Sequence, residues 1–374
     1  MWNKSPFFPY KNLIKNSFHK ILDMKGILLL MVFLLSLGGS ISAQDAKSSD
    51  TTDDNSRIAI KLYNESIQQC DDGHYNEALS MVNKAVSFNP ELIQAVYNRG
   101  CIFLKLNRPD RAISDFTTVI TKNKDAKAYV GRGTAYFVKG DYMKADEEFS
   151  SAIALDQTYA EAYYMEANTL VFLGRDNEAM TNFDMAISLK KSYAPAYNDR
   201  GLLKLEQGDY IGALADLISA TTLDPSLAYA FNNLGKAHEV SGDKESALED
   251  YTAAIKVNPK FTDALNNRGR LKYEMGDYEG AVKDYSKAIS IDPSFAFAYN
   301  NRGNAKYMLG DFEGAVEDFS TAINLDPEYG IAYLNRANTK EMRRDVAGAC
   351  RDWNKAASLG VSEAGNYVTN QCSK

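Results

Sequence analysis

Residues 296–329 read AFAYNNRGNAKYMLGDFEGAVEDFSTAINLDPEY, and the 34 residues before them say nearly the same. Ala298-Tyr-Asn-Asn-Arg-Gly303 answers Ala264-Leu-Asn-Asn-Arg-Gly269, and Gly310-Asp-Phe-Glu-Gly-Ala315 answers Gly276-Asp-Tyr-Glu-Gly-Ala281. Asp326-Pro327 answers Asp292-Pro293. A fixed period of this size is the signature of stacked, identical supersecondary units, none of which can bury its apolar face alone.

Working outward in both directions, the same frame marks nine units: 59–92, 93–125, 126–159, 160–193, 194–227, 228–261, 262–295, 296–329 and 330–363. The eighth residue of each is small: Ser66, Gly100, Gly133, Ala167, Gly201, Gly235, Gly269, Gly303 and Ala337. The twentieth is always Ala, from Ala78 to Ala349. Small residues at these spacings let two antiparallel helices approach closely, while larger ones such as Tyr299 and Phe319 fill the space between units. Gly at the fifteenth position, as in Gly310, suits a left-handed helix C-cap, and the Asp after it caps the next helix. Pro90, Pro225, Pro259, Pro293 and Pro327 close the second helix, because Pro disfavours helix at the residue before it.

This pattern resembles the tetratricopeptide repeat, over residues 59–363 and in nine copies. The resemblance implies an all-α fold, a right-handed superhelical solenoid of helix-turn-helix repeats whose first helices line a concave groove. Residues 364–374 then form the capping helix that such arrays need at their end.

One position departs from the family. The seventh residue is Arg99, Arg132, Arg200, Arg268, Arg302 or Arg336 in six units, and the twenty-third in the same units is Asp115, Glu148, Asp216, Asp284, Asp318 or Asp352. The correlation predicts an Arg–carboxylate bridge between the two helices of a unit, best expressed by Arg268–Asp284, Arg302–Asp318 and Arg336–Asp352. Lys204, Lys272, Lys306 and Lys340 add a base one turn after the Arg, and Leu234 with Asp250 is the one loose case. An internal basic ladder for an anionic ligand is the competing reading, disfavoured because each Arg has its own acid.

The fifth and sixth positions, which the resemblance turns toward the groove, are rich in Asn: Asn198, Asn232, Asn233, Asn266, Asn267, Asn300, Asn301 and Asn335. An amide both donates and accepts, so it can pair with the backbone of an extended peptide, or equally with a neighbouring helix or water. These residues are the candidate peptide-binding set. The carboxylate-clamp class of the family carries basic residues where these Asn stand, which argues against binding a chaperone tail.

Ahead of the repeats, Met24-Lys25 is followed by an apolar run from Ile27 to Leu37 and small residues to Ala43. These are the parts of a secretory signal, and the run is too short for a comfortable membrane span. Residues 1–43 are read as an N-terminal extension and signal peptide, with Met24 a candidate start and an uncleaved anchor the alternative. Residues 44–58 are polar and read as a flexible linker. The 374-residue chain carries a net charge of −7, and without residues 1–43 it keeps 37 basic and 48 acidic residues, a net charge of −11. Such a body does not bind nucleic acid or an anionic membrane by bulk attraction.

Four Cys allow three connectivities. Cys350 with Cys372 would clamp the terminal helix, and Cys70 with Cys101 lie on adjacent first helices; buried free thiols are the alternative. No catalytic constellation, metal-ligand spacing or phosphate loop stands out, so no metal and no cofactor are expected. The expectation is a non-enzymatic scaffold, exported to the periplasm or envelope of a Gram-negative bacterium, holding a partner protein or extended peptide, without a membrane span after signal cleavage and with only peripheral envelope association. Alternatives are an accessory subunit of an outer-membrane, secretion or envelope-polymer enzyme complex, and an unrecognised enzyme.

Overall fold

A computed structural model of the chain describes residues 51–372. The proposed extension, signal segment and residues 44–50 lie outside the described residues. The chain divides into two compact units between Gly208 and Asp209. The division falls inside the fifth repeat, between its two helices.

The first unit holds α1 (Thr51–Asp71), α2 (Tyr75–Phe88), α3 (Ile93–Lys105), α4 (Pro109–Lys122), α5 (Ala126–Val138), α6 (Tyr142–Leu155), α7 (Ala160–Phe172), α8 (Asp176–Leu189) and α9 (Ala194–Glu206). The second holds α10 (Tyr210–Leu223), α11 (Ala228–Val240), α12 (Lys244–Val257), α13 (Thr262–Glu274), α14 (Tyr278–Ile291), α15 (Ala296–Met308), α16 (Phe312–Leu325), α17 (Gly330–Met342), α18 (Val346–Ser358) and α19 (Ser362–Gln371). Among the described residues there is no strand. Within each unit, consecutive helices pair as hairpins and each hairpin packs on the next.

The start of α1 corrects one expectation. Residues 51–58, read as linker, are the first turns of α1. Asp54 places its charge near the helix N-terminus, where the dipole favours it. Asn89, at the end of α2, donates to the Ser56 hydroxyl at 3.3 Å and ties this end down.

Close approach explains the eighth-position glycines. A Cβ built on Gly303 would stand 2.7 Å from Phe319 Cε1, so the buried ring lies directly on the bare backbone of α15. Phe319 therefore fills the interior of its own hairpin, where the sequence suggested the gap between units. The turns follow one recipe. Gly310, at φ +81°, ends α15, and the Asp311 side chain accepts from Gly314 N at 2.9 Å to open α16. Two hairpins make the same turn without glycine, through Asn107 (φ +53°) and Arg344 (φ +65°).

The second unit ends on α19, which begins two residues before the capping helix expected from sequence. Cys350 and Cys372 are joined, with 5.6 Å between their Cα atoms. The buried Trp353 ring stacks on Tyr367, centroids 5.1 Å apart and 8° from parallel, while its Nε1–H donates to Asn338 Oδ1 at 2.9 Å. The Cys70–Cys101 bridge is not formed; both are buried free thiols. Burial pushes the Cys70 thiol up to about 11 and the Cys101 thiol up to about 12, so neither is poised as a thiolate.

Candidate functional site

The seventh-position arginines lie in the half-buried seam between the helices of each hairpin. Arg302 Nε and Nη2 donate to the two Asp318 oxygens at 2.9 and 2.7 Å. Arg268–Asp284 repeats the fork at 2.9 and 2.7 Å, Arg336–Asp352 at 2.8 and 2.7 Å, and Arg99–Asp115 in the first unit at 2.8 and 2.7 Å. Arg132 reaches Glu148 at 2.9 Å. Arg200 and Asp216 stand on opposite sides of the division between the units.

The arginine's remaining arm reaches back to the preceding hairpin. Nη1 of Arg302 donates to Ser286 Oγ at 3.1 Å, that of Arg268 to Thr252 at 3.1 Å, and that of Arg336 to Ser320 at 3.0 Å. One guanidinium thus ties three helices. Lys272, Lys306 and Lys340 place Nζ 2.8, 2.9 and 2.7 Å from the same three aspartates. The loose sixth repeat has its own solution: His238, where the fifth, seventh, eighth and ninth repeats carry Lys, sets Nδ1 2.6 Å from Asp250 Oδ2. Burial raises the Asp250 carboxyl, and the His238 bond opposes the shift.

The asparagines form a second series, between hairpins. In the second unit Asn267 Nδ2 donates to Asn232 Oδ1 at 2.9 Å, Asn301 to Asn266 at 3.0 Å and Asn335 to Asn300 at 3.0 Å. Each bond links a sixth position to the fifth position of the preceding first helix. Each of these six amides therefore spends one of its hydrogen bonds on a neighbour. None of these six is left buried without a partner. Asn198, on α9, and Asn233, on α11, fall in different units.

In the first unit the same step is made by different chemistry. The Tyr164 hydroxyl donates to Asp199 Oδ2 at 2.7 Å, and Asn198 Nδ2 donates to Asp199 Oδ1 at 2.8 Å. Burial pushes the Asp199 carboxyl up to about 6 despite these donors. Spacing alone did not reveal this network, although Asp199 at a position given to Asn in six of the other eight repeats was a visible signal.

About two turns further along the same helices stand aromatic pairs, Tyr273 with Tyr278 (5.3 Å) and Tyr307 with Phe312 (5.2 Å). Arg270 projects from the same helix face and is held by Glu239 and Glu274, each at 2.6 Å. Its charge is spent internally, so α13 offers no free basic clamp for a carboxylate tail. Among the described residues no three His, Cys, Asp or Glu side chains gather as metal ligands, and no helix is long and apolar enough to cross a membrane.

Comparison with known proteins agrees with this construction. Residues 269–310 match the family described as TPR repeat, 296–329 match Tetratricopeptide repeat, and 77–275 match the ETO1 C-terminal domain. The TPR repeat-containing thioredoxin TDX of Arabidopsis thaliana is 31% identical over 29% of this chain and 29% of its own length. Human Tetratricopeptide repeat protein 13 is 30% identical over 28% of this chain and 12% of its own. The chain thus spans less than a third of either relative. Among solved structures, that of Pseudomonas aeruginosa pilF superposes with a TM-score of 0.52 at 19% identity, covering 59% of this chain and 99% of that one. A tetratricopeptide repeat protein from Parabacteroides merdae gives 0.50 at 17% identity, covering 68% and 98%. The chain belongs to the tetratricopeptide-repeat proteins, and over residues 77–275 to the family of the ETO1 C-terminal domain.

Proposed function

We propose that this protein is a non-enzymatic scaffold of the bacterial envelope that holds a partner protein, as an extended segment, against the first helices of its repeats. The observation that carries the reading is the run of three Asn–Asn bonds in the second unit. Each pair uses one donor and one acceptor; Asn232 and Asn300 are buried, and the half-buried Asn267, Asn301 and Asn335 keep a second group to offer at a regular interval. Such a row suits peptide backbone, whose N–H and C=O groups also recur regularly, and selects little by side chain. The aromatic pairs toward the ends of the same helices supply apolar contact.

Two features support export. The Met24–Ala43 segment has the layout of a secretory signal. The Cys350–Cys372 bond suits an oxidising compartment.

Mature protein carrying a photo-crosslinker at Asn304, a neighbour of the row on α15, is the test. The reading expects a discrete crosslinked partner from envelope extracts, lost when Asn267, Asn301 and Asn335 are changed together to Ser with the circular dichroism spectrum retained. Unchanged crosslinking by that variant would remove the row from the site. Turnover of any substrate class by the pure protein would remove the non-enzymatic reading.

A further inference from the structure

The last hairpin reverses the charge of its surroundings. Residues 330–358 carry six basic and three acidic residues, within a chain of net charge −7. Arg336 and Lys340 are held by Asp352, and Arg343 by Glu313 of the preceding hairpin at 2.8 Å. Arg344, Arg351 and Lys355 are exposed and make no ion pair among the described residues.

Arg344 also occupies a costly backbone position. Its φ is +65°, where Gly73, Gly140, Gly174, Gly208, Gly242, Gly276 and Gly310 make the equivalent turn in seven other repeats. A side chain is strained in this region, and glycine is not. The turn thus keeps a cation where seven repeats have none. On either side of it stand the exposed apolar residues Met342 (54% exposed) and Val346 (51%).

We propose that this turn, Met342 to Val346, is a second docking site, for an acidic segment of a partner protein that carries a large apolar side chain. The acid pairs with Arg344 and Arg351, and the apolar side chain lies across Met342 and Val346. Charge complementarity selects this occupant, since an acidic segment is repelled elsewhere by a body of net negative charge. Methionine suits the apolar part because its unbranched thioether adapts to varied shapes. The site is separate from the asparagine row and does not depend on it.

The substitution Arg344→Gly separates a structural role from a binding one. The probe is a fluorescein-labelled peptide, Asp-Glu-Phe-Asp-Glu-Leu, titrated into the full mature chain and followed by anisotropy. The expected result is salt-sensitive binding that Arg344→Gly weakens about tenfold, the equivalent of one charge-assisted contact, while the variant melts at a higher temperature than the parent. Met342→Ser with Val346→Ser should weaken binding at unchanged charge, and the triple Asn variant should bind normally. Equal affinity of Arg344→Gly, equal binding of Lys-Lys-Phe-Lys-Lys-Leu, or a lower melting temperature for Arg344→Gly would each overturn the proposal. Binding to phosphatidylglycerol vesicles without binding to the acidic peptide would also overturn it, in favour of a membrane.

Discussion

At the scale of single residues, the seams of the last three hairpins are half-buried ionic sites with more cation than anion. Asp318 accepts from both Arg302 and Lys306. Asp318→Ala therefore leaves two half-buried cations facing nothing, and should lower stability by about 3–5 kcal/mol. Arg302→Ala/Asp318→Ala, with one cation left, should melt higher than Asp318→Ala; a lower melting temperature for the double variant would contradict the bridge. Asp199 gives a pH-dependent counterpart. Its folded-state pKa, about 6, lies above that of an unfolded Asp, so the native state binds the proton more tightly. Stability from this group is complete below about pH 4 and is lost as pH rises through about 6. Asp199→Asn should exceed the parent by up to about 3 kcal/mol at neutral pH, and chemical denaturation at pH 4 should find the gap closed. The Arg–acid partnership was legible because the two residue types vary together in six repeats. The arginine's backward arm was not, since the residue it meets is Asn83, Thr117, Asp184, Thr252, Ser286 or Ser320. Any acceptor of roughly that reach serves, so no residue type recurs to betray the contact.

Helices and turns were the most legible level, because small residues, Gly turns and Asp caps recur at fixed positions. What escaped at this level was set by single contacts. The helical state of residues 51–58 runs against their low helix propensity and leans on continuity with the rest of α1 and on the Ser56–Asn89 bond rather than on any repeat frame. The asparagines could be placed on one helix face, but whether they met peptide or each other depended on the phase of neighbouring helices. The terminal helix α19 buries little besides Ala364, and its retention leans on Cys372 and the Tyr367–Trp353 stack. The bridge closes a loop across a sequence separation of 22 residues, a constraint worth about 3 kcal/mol on chain-entropy grounds. Hydrogen exchange on the Cys372→Ser protein should show α19 amides losing protection by about two orders of magnitude, with α13 and α15 unchanged. Protection of α19 equal to the parent's would show that packing alone holds it.

For the whole molecule, a repeat array is stabilised by neighbour contacts, so its parts can open separately. The sequence supplies a reporter for each unit. Cys70 and Cys101 are buried thiols of the first unit, and Trp353 is a buried indole of the second. In a urea titration, thiol labelling and Trp353 fluorescence should give distinct midpoints. Coincident midpoints and slopes would mean one all-or-none transition instead. The division between the units at Gly208 was not legible, because Gly208 and Asp209 repeat the turn used elsewhere in the chain and carry no compositional mark.

The bonds between hairpins have an evolutionary consequence. The seventh and eighth repeats each bring their own arginine and acid, a hydroxyl for the following arginine and one half of each flanking amide pair. Excising residues 296–329 would set Asn335 beside Asn266 and Arg336 beside Ser286, restoring every bond across the joint with new partners of the same kind. The shortened protein should fold with nearly the parent's helicity per residue, measured by circular dichroism. Such a chain can gain or lose whole repeats by unequal recombination without passing through a broken intermediate, so the length of the array is free to drift while the chemistry of its joints stays fixed.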